Sequence, residues 1–248
     1  MNAAQALANP DLKSMLERLR QALGDALRGV VLYGSAARGD DHAPTSDFNL
    51  LVVARDLEPK NLEALGPCIA RWRARGHHTP RLFTPELIAE SADVFPIEFL
   101  DIRAAHLVLH GDDPFERLEV RRVHLRLQCE RELREKLMRL REAYVEAHPA
   151  RRDLERLLRE SYSSFLALFR GCLRLLGEEP PARDAAVVAA FCVRAGLDAK
   201  PFAEIEALRR GAKGADDLKD LFSRYYRELT KAIRTVDRFH HVEGGATS

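Results

Sequence analysis

No apolar run in this chain of 248 residues reaches the length of about 18 residues that a membrane-spanning helix needs. The N-terminus also lacks a charged segment followed by an apolar one, so a cytoplasmic protein with no membrane partner is expected. No two of the four cysteines, Cys68, Cys129, Cys172 and Cys192, form a C-x-x-C pair. That spacing suggests neither a zinc knuckle nor a disulfide framework, and the thiols are expected as small core residues in a reducing compartment. An excess of one charge is missing too: 39 basic residues face 38 acidic ones, a net charge of +1. That balance argues against a general nucleic-acid coat protein and against an anionic membrane, while a local basic patch stays open. Nucleic acid is therefore not expected as a partner. Internal repeats and low-complexity blocks are absent. What remains is 46% hydrophobic and 31% charged, enough for one large domain or two ordinary ones.

The pattern changes part-way along the chain. Asn9-Pro10 caps a helix whose apolar residues Leu12, Met15, Leu16, Leu19, Leu23 and Leu27 recur at helical spacing before Gly29. Two β-rich runs follow, Val30 to Tyr33 and Phe48 to Ala54. A helix over Pro59 to Arg75, a weak strand over Arg81 to Phe83 and a short helix after Thr84-Pro85 come next. Ile97 to Ile102 and Leu107 to His110 read as two further strands. From about Glu116 only helical patterns remain: to His148, then Arg152 to Leu176, Asp184 to Ala195, Pro201 to Arg210 and Ala215 to Phe239. The expected architecture is α+β: a mixed sheet with flanking helices over residues 1–115, then an all-α bundle over 116–242. The tail 243–248 is expected to fray.

The stretch VVLYGSAARGDDHAPTSDFNLLVV, Val30 to Val53, carries the chemistry. Residues i and i+2 of a strand lie about 6.6 Å apart on one face, so Asp47 and Asn49 face one small volume. Burying them without partners would cost a few kcal/mol each. A divalent cation with phosphate oxygens would compensate, and so would a hydrogen-bonded turn. Upstream, Gly34 permits close backbone approach or positive φ, and Ser35 adds a hydroxyl beside free N–H groups, a turn suited to phosphate oxygens.

The strand, the Gly34-Ser35 pair, Arg38-Gly39, a polar loop and then Ser46-Asp47-x-Asn49 leading a buried strand together resemble the nucleotidyltransferases of the polymerase-β type. The minimal and aminoglycoside nucleotidyltransferases are the most similar in pattern, with the motifs over about residues 25 to 115. The resemblance implies a nucleotidyltransferase-like sheet domain. It implies transfer of a nucleoside monophosphate from ATP or another nucleoside triphosphate to a hydroxyl of a small molecule or a protein. Magnesium would be the cofactor, as a pair of ions that bridge the phosphates and activate the attacking hydroxyl. Gly34, Ser35, Arg38 and Ser46 would hold phosphate, and Asp47 would bind metal. For Arg38 a surface salt bridge is the alternative. Oligomeric state is left open, a homo-oligomer included.

A further acid has to come from a later element, and FPIEFLDIR offers Glu98 and Asp101. On a strand these differ in parity, so one alone would join the site. Glu98, nearer the strand start after Pro96, is preferred as the catalytic acid, with Asp101 as the other candidate ligand. Asn49 departs from the pattern, which has a second acid there. Its amide oxygen can ligate a hard cation without contributing charge, so a site of about −3 becomes one of about −2. Nucleotide binding is then expected to survive better than catalysis, which makes a nucleotide-sensing pseudoenzyme the rival reading.

Weaker signals lie elsewhere. The arginines and glutamates from Glu119 to Glu142 read as a solvated helix face laced with i,i+4 pairs. Glu155 and Glu160 are candidate bases on the second long helix. The pairs His77-His78 and His240-His241 are adjacent, and neighbours diverge, so neither makes a metal pair. Arg234 and His240, five residues apart, are similar to the arginine–histidine motif of HEPN ribonuclease bundles. That makes a ribonuclease, or its antitoxin partner, a third reading.

Overall fold

The computed structural model describes residues 2–38, 48–146, 151–212 and 217–238, with the backbone but not the side chains of Ser35 and Arg38. The expected tail and His240-His241 fall outside these. The chain divides into two compact units, residues 1–121 and 122–248.

The first unit opens with α1 (Ala3–Leu7), closed by a capping box in which Asn2 and Gln5 bond each other's backbone N–H. α2 (Pro10–Leu23) begins at Asn9, whose side chain accepts from the N–H groups of Asp11 and Leu12. The strands β1 (Leu27–Tyr33), β2 (Asn49–Ala54), β3 (Arg81–Phe83) and β4 (His106–Gly111) form one four-stranded sheet in the order β3-β2-β1-β4. β1 runs antiparallel to both neighbours, and β2 runs parallel to β3. Between the strands lie α3 (Ser35–Arg38), α4 (Pro59–Ala74), α5 (Pro85–Glu90) and α6 (Pro96–Ala104).

Period-2 alternation sends the strand residues to two cores. Val30, Leu32, Leu50, Val52 and Leu109 pack with Leu12, Met15 and Leu19 of α2 and Leu65, Cys68 and Trp72 of α4. Val31, Leu51 and Val53 pack with Ile88, Phe99, Ile102 and Phe115, and Tyr33 and Phe83 join them. Both faces of the sheet are thus covered, which explains why β2 reads as an unbroken apolar run.

The segment expected as a strand over Ile97 to Ile102 is a helix, α6. Pro96 and Glu98 in its first turn favour that start. Pro96, Ile97, Phe99, Leu100 and Ile102 are all buried, so no polar stripe marks the helical period, and a short apolar run is ambiguous between the two states. The parity argument fails with it: Glu98 and Asp101 are three apart on a helix, on one side rather than two.

Among the described residues the regular elements of the second unit are all helices: α7 (Arg122–Glu146), α8 (Arg151–Leu175), α9 (Asp184–Ala195), α10 (Lys200–Arg209) and α11 (Leu218–Arg238). α8 touches each of the others. Its Phe169 stacks on Phe191 with centroids 4.4 Å apart and meets Phe202 edge-on at 5.8 Å, and Phe202 meets Tyr225 at 5.3 Å. Among the described residues no helix is long and apolar enough to cross a membrane.

All four cysteines are buried and free. Burial pushes the Cys192 thiol up to about 12, and the Cys172 thiol is raised by its hydrogen bond with the Cys129 thiol and by burial. An aromatic disulfide reagent at neutral pH is therefore expected to leave all four unreacted in the native protein and to titrate four after unfolding. Gly111, at φ +74°, is the tightest backbone position: a Cβ there would lie 1.9 Å from the Arg28 carbonyl oxygen. Gly111→Ala is expected to lower stability by about 3 kcal/mol, read from urea unfolding.

Candidate functional site

Antiparallel pairing of β1 and β2 places Tyr33 opposite Asn49, and pairing of β1 and β4 places Tyr33 opposite His106. Asn49, Tyr33 and His106 therefore form a row across the end of the sheet, on the face that α6 covers. Gly34 follows directly. It adopts φ +84°, a conformation that suits glycine, and its N–H donates to the Ala105 carbonyl at 3.1 Å. A Cβ on Gly34 would sit 3.3 Å from the Asn49 Nδ2 atom. The glycine turn and the side chain at the mouth of β2 thus share one small volume, and the α6–β4 junction closes it from a third side.

α3 starts at Ser35, so the residues read as a loop after the turn form a short helix. The side chains of Ser35 and Arg38, and all of Ser46 and Asp47, lie outside the described residues. Among the described residues no three histidine, cysteine or acidic side chains cluster in a way that could hold a metal ion. β3 lies next to β2 and carries Arg81, Leu82 and Phe83, so no carboxylate reaches the site from that strand. The acids nearest in the chain to the Ala105 carbonyl are on α6: Asp101 stands four residues before it and Glu98 one turn earlier. Both are half-buried and already engaged in interactions.

Sequence reasoning passed over Tyr33 and His106. Tyr33 had a signal, its place directly before the glycine turn. His106 had none before the β4 register was known. Its ring is held firmly: Nδ1 lies 3.0 Å from the Arg103 carbonyl oxygen and Nε2 3.0 Å from Asp113 Oδ2, with an edge contact to Phe115.

The other candidates have structural duties. His77 packs at a tilt against Trp72 at 4.1 Å and Phe48 at 5.1 Å, and its Nε2 lies 3.3 Å from Asp11 Oδ2. The His78 carbonyl accepts from the Trp72 indole at 2.8 Å. Glu155 pairs with Arg159 one turn on, and Glu160 borders a shallow groove with Glu146, Asp153 and Arg156. Arg126, Glu130 and Arg134 form the i,i+4 ladder expected on α7. Of the pair Arg234 and His240, His240 lies outside the described residues.

Comparison with known proteins adds the fold's identity. No family model matches this chain, and no curated protein matches it. Solved structures do match. One is the spectinomycin adenyltransferase AAD(9) of Enterococcus faecialis, crystallised with ATP and spectinomycin. It superposes with a TM-score of 0.55 over 92% of this chain and 98% of that one, at 14% identity. This chain has the nucleotidyltransferase fold. AAD(9) is an aminoglycoside nucleotidyltransferase, the type that the Gly34-Ser35 and Asp47 pattern resembles.

Gly34→Ala would impose a left-handed backbone on alanine and press its methyl group against the Asn49 amide. A loss of about 1–3 kcal/mol in thermal or urea unfolding is expected.

Proposed function

We propose that this protein binds a nucleoside triphosphate with magnesium at the mouth of β1 and β2 and transfers the nucleoside monophosphate to a hydroxyl of a small molecule. The observation that carries the reading is the convergence of Gly34 and Asn49, with Nδ2 within 3.3 Å of a Cβ placed on Gly34. It supports a single pocket for the phosphate turn and the metal-binding strand end. The nucleotidyltransferase fold of a neighbour that binds ATP and spectinomycin supports the choice of nucleotide and of acceptor class.

The residues present fit magnesium in kind, since all are hard oxygen donors. Asp47 and Asn49 would hold the ion from β2, and Glu98 and Asp101 would add charge from α6. Their shared helix side allows both to take part. When bound, magnesium would offset phosphate charge and lower the pKa of the attacking hydroxyl. Gly34, with Ser35, Arg38 and Ser46, would position the phosphate chain. The acceptor oxygen attacks the α-phosphorus, and pyrophosphate leaves.

Asn49 favours a second reading in which the nucleotide binds and turns over little. The neutral amide removes one charge from the site, and β3 supplies none in exchange. Calorimetry with ATP and magnesium and release of labelled pyrophosphate distinguish the two. Binding is expected in the wild type and is expected to be lost in Asp47→Ala. Asn49→Asp is expected to raise turnover at least about tenfold, the effect of a small gain in transition-state stabilisation. Glu98→Gln and Asp101→Asn made in that background identify the catalytic carboxylate by which abolishes the gain. No heat with ATP and magnesium in the wild type would end the proposal.

A further inference from the structure

The second unit carries a groove of about 480 Å³ on α11 and the C-terminal end of α7. Tyr144, Phe222, Tyr226, Arg227, Lys231 and Arg234 line it. Positions 223, 227, 230, 231 and 234 fall on one side of α11, while Leu221, Tyr225, Leu229, Ala232 and Val236 point into the core. The lining is largely the solvent face of an amphipathic helix; Phe222 beneath it is buried, and Tyr144 and Tyr226 beside it are half-buried. Tyr144 stacks on Phe222 with centroids 3.9 Å apart and planes 12° apart, and Phe222 and Tyr226 are 6.0 Å and 16° apart. Three nearly parallel rings form a ladder. The Arg141 guanidinium sits 5.5 Å from the Tyr226 ring centre and donates to its hydroxyl at 2.6 Å, which fixes the outer tyrosine.

The charge around it has one sign. No carboxylate lines the groove among the described residues. Lys231 bonds Glu228 at 2.7 Å, but that carboxylate is 5% exposed and also accepts from the Asp198 N–H. Arg227 and Arg234 are exposed and have no ion-pair partner among the described residues. From Arg227 to Arg234 the helix rises about 10 Å, room for more than one phosphate beside the rings. Half-buried tyrosine rings flanked by arginines without an ion-pair partner among the described residues suit a base with its phosphate, without reading sequence.

We infer that this groove binds a nucleotide base with its phosphate, as a free nucleotide or within a single strand. The inference is independent of the transferase reading, because its ligand needs neither triphosphate nor magnesium. The test uses the full chain in EDTA, with a short fluorescein-labelled oligodeoxyadenylate followed by anisotropy and AMP followed by calorimetry. The wild type is expected to bind at low salt. Tyr226→Leu, which keeps every charge, and the double change Arg227→Ala with Arg234→Ala are each expected to weaken binding about tenfold. Arg152→Ala, an exposed arginine on α8, is expected to change nothing. Binding of AMP alone identifies a free nucleotide as the source, and binding of the oligomer alone identifies a strand. No binding of either probe, no loss in the arginine variant, or an equal loss in Arg152→Ala overturns the inference.

Discussion

The register of β1 against β2 is the constraint on which the site depends. Tyr33 opposite Asn49 sets where β1 stops relative to where β2 begins, and the glycine turn lands beside the amide as a result. A slip of β2 by one residue would send Asn49 to the face of α2 and α4, and would exchange Leu51 and Val53 with Leu50 and Val52 between two differently shaped cores. Two filled cores thus hold the register, and the register holds the polar mouth together. The single bond from Gly34 to Ala105 then brings α6 to the same end of the sheet.

Much of this was legible from residue order. Strong periodicity marked α2, α4 and the bundle helices, because each buries one stripe and wets the other. β2 was legible as a buried run, and Gly34 as a position suited to close backbone approach or positive φ, of which the structure shows the second. α6 was misread because its residues are buried nearly all round, which erases the period that separates helix from strand. α1 was overlooked although Asn2 and Gln5 spell its capping box. In the site, the nearness of Gly34 and Asn49 followed from the motif, whereas Tyr33 and His106 depended on strand pairing that no local pattern encodes. Ser46, Asp47 and the side chains of Ser35 and Arg38 lie outside what the structure describes, so their roles rest on the pattern they share with nucleotidyltransferases.

The bundle shows how one residue type serves different ends. Arg126 and Arg134 flank Glu130 in a ladder on α7, the low-value surface pairing that a charge-rich helix makes. Arg224 instead grips both oxygens of Glu204 at 2.9 and 2.8 Å and bonds Asp220 at 2.7 Å. That fork joins α11 to α10, raises the arginine's own pKa through those carboxylates and lowers that of Glu204. Arg227, three residues on, makes no such pair among the described residues and lines the groove beside the aromatic ladder. Sequence composition cannot separate these roles, since the difference lies in which neighbours the fold supplies.

Both borders of the sheet are poorly suited to extension. β3 is three residues long and begins with the exposed Arg81. β4, at the far side, is interrupted by a register shift and ends at a positive-φ glycine. Short, charged or kinked margins offer few aligned N–H and C=O groups to a foreign strand. Ribbon-like stacking of one copy on another through these margins is therefore disfavoured, even though every strand between them is rich in valine and leucine.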